Sequence, residues 1–223
     1  MTKLKKGILI ALIIILVDQI FKIWVKTHMI LGEEHKIFGN WFIIHFTENN
    51  GMAFGMEFNL EFGKILLSLF RVAAIFAIGW YLYHLSKKNA PFGLIICVSL
   101  ILAGALGNII DSAFYGILFS DSLFQVAEFL PEEGGYAGFL HGKVVDMLYF
   151  PLIEGHFPKW FPFWGGEHFI FFRPVFNIAD SSITIGVITT LIFQRKFFKN
   201  NNTDTEKLEE QNLIAEQNSE NKF

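Results

Sequence analysis

Four long apolar segments constrain this 223-residue chain more than any other feature. A helix that crosses the hydrocarbon core of a bilayer needs about 20 mostly apolar residues. The segments at about 7–25, 65–83, 92–110 and 175–193 meet that need. None carries the polar stripe of a water-soluble amphipathic helix. Composition agrees: 17% of residues are charged, against about 25% in an average soluble domain. That apolar content excludes disorder of the whole chain. One Cys cannot make an intramolecular disulfide scaffold. Acidic residues outnumber basic ones 21 to 18, which argues against a nucleic-acid binder.

The first segment has the basic start and apolar run of a secretory signal peptide, but no small-x-small cleavage site follows. Asp18, Gln19 and Lys22 come instead, so it is predicted as a retained span. Basic residues cluster before the first segment (Lys3, Lys5, Lys6), between the second and third (Lys87, Lys88) and after the fourth (Arg195, Lys196, Lys199). With four crossings all three clusters fall on one side, which predicts cytoplasmic termini. The long connections, about 28–63 and 112–172, then face outward. Residues 1–199 are expected to form a single membrane-embedded domain. The Asn-, Gln- and Glu-rich stretch 200–223 is expected to be a disordered cytoplasmic tail.

The outer connections carry structure of their own. Lys36–Phe46 mixes aromatic and β-branched residues around Gly39-Asn40 and predicts strands joined by a turn. Gly142–Phe150 reads as a short strand, and Phe157–Phe172 as an aromatic interfacial surface. The predicted fold is therefore an α-helical integral membrane protein. It has four transmembrane helices, a small outer β-rich cradle and an extended extracytoplasmic loop. Of 27 Phe, 19 lie in the outer connections and up to Phe176, and they are expected to grip acyl chains and an apolar helix.

Polar residues carry the chemical information, because a charge at the centre of a spanning helix costs roughly 2.5–3.5 kcal/mol. Asp18 and Lys22 sit at i and i+4 near the outer end of the first segment, where they can pair, and a structural ion pair that pins the helix to the interface is one reading. Asn49-Asn50-Gly51 is either a turn or a place where Gly51 lets a ligand approach the backbone. Arg71 either supports the structure or hydrogen-bonds substrate carbonyls. Asn108 and Asp111 lie at i and i+3 on the third segment, beside Gly104 and Gly107, which would allow close packing. Asn177 and Asp180 repeat that spacing on the fourth. Asp146 sits between Val145 and Met147 in a strand-like stretch. If Asp146 and Asp180 meet, they share a proton: one can activate a water while the other polarises a carbonyl. The pair titrates as a unit. The seven His form no H-E-x-x-H pattern, so no metal site is expected. A transporter would place carboxylates at several depths, and a passive scaffold would not need two Asn-x-x-Asp motifs.

These blocks, in this order, resemble the lipoprotein signal peptidase family, the type II signal peptidases of bacteria. They are Asp18-Gln19 with Lys22, Asn49–Phe54, Gly104–Asp111, Val144-Val145-Asp146 and Phe176–Ser181. The resemblance implies an aspartic endopeptidase at the outer face of the inner membrane. It would cut a signal peptide just before a diacylglyceryl-modified Cys, with Asp146 and Asp180 as its catalytic pair. Asn49, Gly51, Asn108, Asp111 and Asn177 would line the site, and Asp18 and Lys22 would support it. No cofactor, no metal and no nucleic acid are implied; the partners are a prolipoprotein substrate, membrane lipid and inhibitors of the globomycin type. Nothing requires more than a monomer. The family's third block continues Asp-Arg, whereas Ser112 follows Asp111 here. Whatever that Arg does is then either lost or supplied elsewhere, for example by Arg173 or Lys143. The connection 112–141 is long for the family and is expected to act as a lid or a partner surface.

Overall fold

The computed structural model describes residues 2–50 and 61–198. Gly51, the rest of the block up to Phe54, and the tail 200–223 lie outside the described residues. Helix α1 spans Lys3–His28, α2 Glu61–Lys87 and α3 Phe92–Ile110. A π-helical turn, Asp111–Tyr115, and a last turn α4, Gly116–Leu118, prolong α3. Three helical stretches among the described residues are long and apolar enough to cross a membrane: Lys3–His28, Leu67–Lys87 and Phe92–Leu118.

The fourth apolar segment differs from its prediction. Helix α5 starts at Ile178, not 175, and ends at Ile192. Its 15 residues extend roughly 22 Å at about 1.5 Å per residue. The chain turns at Phe193 and resumes a short helical stretch over 194–198. The late start has a local cause. Asn177 has an extended backbone and accepts from the Asp180 amide, while the Asp180 side chain accepts from the Asn177 amide. This reciprocal capping box sets the helix boundary. Val175–Phe176, freed from the helix, becomes strand β6.

Helix α3 packs against α1, α2 and α5. A Cβ on Gly104 would sit 2.2 Å from the Ala179 carbonyl oxygen, and one on Gly107 would sit 2.9 Å from Asp18 Oδ2. On α5, a Cβ on Gly186 would meet the Cys97 carbonyl at 2.7 Å. Small residues thus bring the backbones together, as expected for Gly104 and Gly107. At one end of the bundle Lys3 Nζ donates to the carbonyls of Asn89 (3.0 Å) and Ala90 (2.9 Å). Phe197 joins Leu82, Leu94 and Ile95 there, with Leu4 packed alongside. Among the described residues, the three basic clusters, the last up to Lys196, therefore gather at the same end.

A four-stranded sheet, ordered β1-β2-β3-β6, lies at the opposite end. Strands β1 (Glu34–Phe38) and β2 (Phe42–Asn49) form the predicted hairpin, with Gly39 in the left-handed region at φ 53°. Strand β3 (Val144–Tyr149) pairs antiparallel with β2, placing Thr47 opposite Asp146. One sheet face packs Ile44, Phe46, Val145 and Met147 on Val25 and Met29 of α1 and on Tyr115 and Phe119. Phe46 and Phe119 are thus core residues and not part of an aromatic surface. Trp41, Phe42, Phe150 and Phe176 form a continuous run of ring contacts at 4.8–6.4 Å. The aromatic stretch expected only as a surface also builds a second hairpin, β4 (Ile153–His156) with β5 (His168–Phe171). Its tip exposes Trp160 and Phe163.

The long connection after α4 is tied down along its length. Ile30 and Val126 form a bridge, the Ala127 amide donates to the Lys26 carbonyl, and the Leu31 amide donates to the Ser122 carbonyl. The Tyr136, Ala137 and Gly142 amides donate back to Phe119, Gly116 and Ser112. Buried Lys26 donates to Glu48 (2.5 Å) and Ser122 (2.8 Å), and joins α1, β2 and the connection. A freely swinging lid would not bind its frame at this many points.

The α3–α5 seam can be tested directly. Gly104→Val should lower the Tm in detergent, with overpacking costing about 1–3 kcal/mol. An unchanged Tm would mean the two helices are not in close contact.

Candidate active site

The site begins with a charge cluster inside the helix bundle. Asp18 and Lys22, one turn apart on α1, were expected near the interface. Both are fully buried instead, more than a turn inside the end of α1. Lys22 Nζ lies 2.9 Å from Asp18 Oδ2 and 2.8 Å from Asp111 Oδ2, and donates to Asn108 Oδ1 at 3.0 Å. One lysine thus holds α1 to the end of α3. Gln19 Nε2 donates to Asp111 Oδ1 (2.9 Å), and Tyr115 Oη donates to Gln19 Oε1 (3.1 Å). Charges are retained in such a place only when paired and hydrogen-bonded.

The carboxylates of this cluster also reach outward. Asp18 Oδ1 accepts from the Ala179 amide at 2.8 Å, so a side chain of α1 helps cap the N-terminus of α5. Asp111 Oδ2 accepts from the Val145 amide at 3.3 Å, one residue before Asp146. The cluster therefore sets the position of the two elements that carry Asp146 and Asp180.

Asn177 joins those two carboxylates. Its Nδ2 donates to Asp146 Oδ1 at 2.7 Å, to Asn108 Oδ1 at 3.1 Å and to the Val145 carbonyl at 3.2 Å. An amide nitrogen has two protons, so the short bond to Asp146 dominates. Asn49 Nδ2 donates to the other oxygen, Asp146 Oδ2. Asp180 Oδ1 accepts from Asn108 Nδ2 at 2.7 Å, and Oδ2 from the Asn177 amide at 3.4 Å. The two Asn-x-x-Asp motifs interlock: each Asn serves carboxylates beyond its own helix.

The environments of the two carboxylates differ. Asp146 lies in a strand at 5% exposure, beside fully buried Val145 and Met147. Burial, reinforced by the neighbouring Asp180 charge, pushes its carboxyl up to about 7. Asp180 is half-buried in the first turn of α5, where the helix N-terminus favours negative charge. Paired carboxylates with unlike surroundings can divide acid and base roles.

Arg71, on α2, makes a long hydrogen bond to Ser112 Oγ at 3.5 Å, and its charge faces Asp180 and Asp111. The cation beside Ser112 is therefore Arg71. Lys143 lies 3.4 Å from Glu48 and 3.8 Å from Asp121, and Arg173 is exposed. The neighbouring hydroxyls are occupied: Ser181 Oγ donates to the Asn177 carbonyl, and Ser182 Oγ to those of Ala179 and Leu100. No three His, Cys, Asp or Glu side chains among the described residues are grouped so as to hold a metal ion. The structure thus brings together Asp18, Lys22, Asn49, Arg71, Asn108, Asp111, Asp146, Asn177 and Asp180. The bridging role of Gln19 was missed, as was the buried anchor Lys26. The i, i+4, i+8 spacing of Asp18, Lys22 and Lys26 was the available signal for the anchor.

Lys22→Met should leave two buried carboxylates without their cation, at a cost of about 3–5 kcal/mol. Thermal unfolding in detergent measures this. Replacing Asp18 and Asp111 by Asn in the same protein should restore part of the loss; a Tm unaffected by Lys22→Met would disprove the role of the cluster.

Comparison with known proteins places these motifs in a family. The model of the signal peptidase (SPase) II family matches residues 10–196. A lipoprotein signal peptidase of Porphyromonas gingivalis is 52% identical over 199 residues, 86% of this chain and 85% of that protein. One from Amoebophilus asiaticus is 35% identical over 218 residues, covering 93% and 88%. A bacterial membrane enzyme solved by the in meso method superposes with a TM-score of 0.56 at 26% identity, over 88% of this chain and 91% of that one. The matched stretch contains both Asn-x-x-Asp motifs and the strand of Asp146, and the chain belongs to the signal peptidase II family of membrane peptidases.

Proposed function

We propose that this protein is a membrane aspartic endopeptidase that removes signal peptides from diacylglyceryl-modified prolipoproteins, cutting just before the lipidated Cys. Asp146 and Asp180 are its catalytic pair. The observation that carries this reading is their connection through Asn177, which hydrogen-bonds both. Asp180, half-buried and at a helix N-terminus, acts as general base on a water. Asp146 enters protonated and polarises the scissile carbonyl. Water oxygen adds to the carbonyl carbon as Asp180 takes the water proton. Collapse breaks the C–N bond, and the leaving amine takes up a proton from the pair. The reaction calls on no cofactor or metal.

Residues 1–199 act as one membrane domain with four spans, monomeric in the bacterial inner membrane. Both termini are cytoplasmic, and the site lies near the outer face. The gathering of the basic clusters at the bundle end opposite the sheet supports that orientation. Asn49, Gly51, Asn108, Asp111 and Asn177 line the site, with Asp18 and Lys22 as its frame. The aromatic run on the sheet, exposed at Trp41 and half-buried at Phe42, Phe150 and Phe176, receives the substrate's acyl chains. Globomycin-type inhibitors compete there.

With a diacylglyceryl prolipoprotein as substrate, Asp146→Asn and Asp180→Asn should each lose roughly 10²–10⁴-fold in cleavage rate. Normal cleavage by both would refute the pair. Activity abolished by a chelator and restored by zinc would refute the metal-free reaction. The required proton on Asp146 is lost as pH rises through its raised value. So kcat/KM should fall on the alkaline side from about pH 7, a limb that belongs to the pair. A profile flat from pH 6 to 9 would contradict the assignment.

Arg71 supports the pair from α2. Arg71→Gln should lower kcat/KM by about tenfold, equivalent to about 1.4 kcal/mol, with Arg71→Lys retaining more activity. Equal activity in all three proteins would remove Arg71 from the site.

A further inference from the structure

The long connection carries an apolar patch that the proposed reaction does not use. Leu123, Phe124, Val126, Phe129, Leu130 and Phe139 are all exposed, Phe124 at 87%. These side chains are not on a loose loop. The Ser120 amide donates to the Glu128 carbonyl (3.0 Å) and the Leu130 amide to the Leu118 carbonyl (2.7 Å). Phe119 beneath them is fully buried and contacts the Phe129 ring at 5.3 Å. Phe124 and Leu130 hold φ values of 61° and 55°, a region that bulky residues seldom occupy. A tethered and locally strained backbone therefore holds large apolar groups outward.

The position of the patch indicates what covers it. Val126 bridges Ile30, just beyond the end of α1, whose outward row closes with Ile20, Ile23 and Trp24. Phe139 touches Phe114, on the π-turn that prolongs α3, at 5.8 Å. The patch thus continues the exposed apolar surfaces of two membrane-spanning helices past their ends. It lies away from the carboxylates: Val145 and Met147 point into the core beneath the connection, and Asp146, between them, points to the opposite sheet face. Glu128, Glu132 and Glu133, all exposed, give the patch a charged rim. Apolar side chains with a charged rim beside a spanning helix match the boundary between acyl chains and headgroups.

We propose that residues 123–139 form a lipid-binding collar, with Leu123, Phe124, Phe129 and Leu130 inserted among the acyl chains of the outer leaflet. The collar seats the sheet at a fixed height over the bilayer. Naming the outer leaflet rests on the orientation proposed above; insertion itself does not, and its test reads no activity.

Cys97, the single and buried Cys, is replaced by Ala. Phe124→Cys, Phe129→Cys and, as a rim control, Glu132→Cys are then made one at a time and labelled with a nitroxide. Each full-length protein is reconstituted into phosphatidylcholine–phosphatidylglycerol vesicles, and collisions with oxygen and with a water-soluble nickel complex are measured by electron paramagnetic resonance. The collar predicts a ratio of oxygen to nickel accessibility several-fold higher at 124 and 129 than at 132. Equal ratios at the three positions would place the patch in water and overturn the proposal. Dipolar broadening between labels at 124 would mean that a second copy covers the patch, which also overturns it. If Phe124→Cys does not fold, Phe139→Cys gives the same reading at the far side of the patch.

Discussion

The arrangement depends on one buried ammonium group. Lys22 holds Asp18 and Asp111 at 2.9 and 2.8 Å, out of reach of water. The strength of that attraction comes from the absence of solvent, which also makes separating the charges costly. Each carboxylate uses its remaining valence on a different element, Asp18 on the first turn of α5 and Asp111 on strand β3. The position of a rigid cluster inside the bundle is thereby transmitted to the two elements that carry Asp180 and Asp146.

The same construction explains how two aspartates come to differ. Strand β3 turns Asp146 to the face opposite Val145 and Met147, where it lies buried against Asn49 and Asn177, so its carboxyl is desolvated. A helix N-terminus places Asp180 where backbone amides favour charge. The asparagines at 108 and 177 link the two environments without adding charge of their own. Preorganised polar groups of this kind need no rearrangement at the moment of reaction.

The outer parts of the molecule divide the aromatic residues among several tasks. Phe46 and Phe119 fill the core between sheet and helices. Trp41, Phe42, Phe150 and Phe176 form the ring run beside the sheet. The long connection is bound to its frame through backbone hydrogen bonds and through Lys26 with Glu48 and Ser122. Its exposed side chains face away from the carboxylates because side chains alternate along β3.

Much of this was legible in the sequence. Apolar runs of about 20 residues specify spanning helices because the bilayer leaves a backbone few other solutions. The Gly39-Asn40 turn and the β-branched stretches around it specified a hairpin. Asp146, Asp180 and the two Asn-x-x-Asp motifs stood out because polar residues are costly in such a setting. Tertiary structure alone decided the rest. Whether Asp18 and Lys22 lay at an interface or in the interior depended on Asp111 arriving from another helix. Arg71 became the cation beside Ser112 only when α2 packed alongside the end of α3. The capping box starts the fourth helix at Ile178 locally, but Val175–Phe176 ahead of it became a strand only because β3 was there to pair with. Local sequence sets which groups a segment can offer; long-range packing decides which partners desolvate and charge them, and that sets their chemistry.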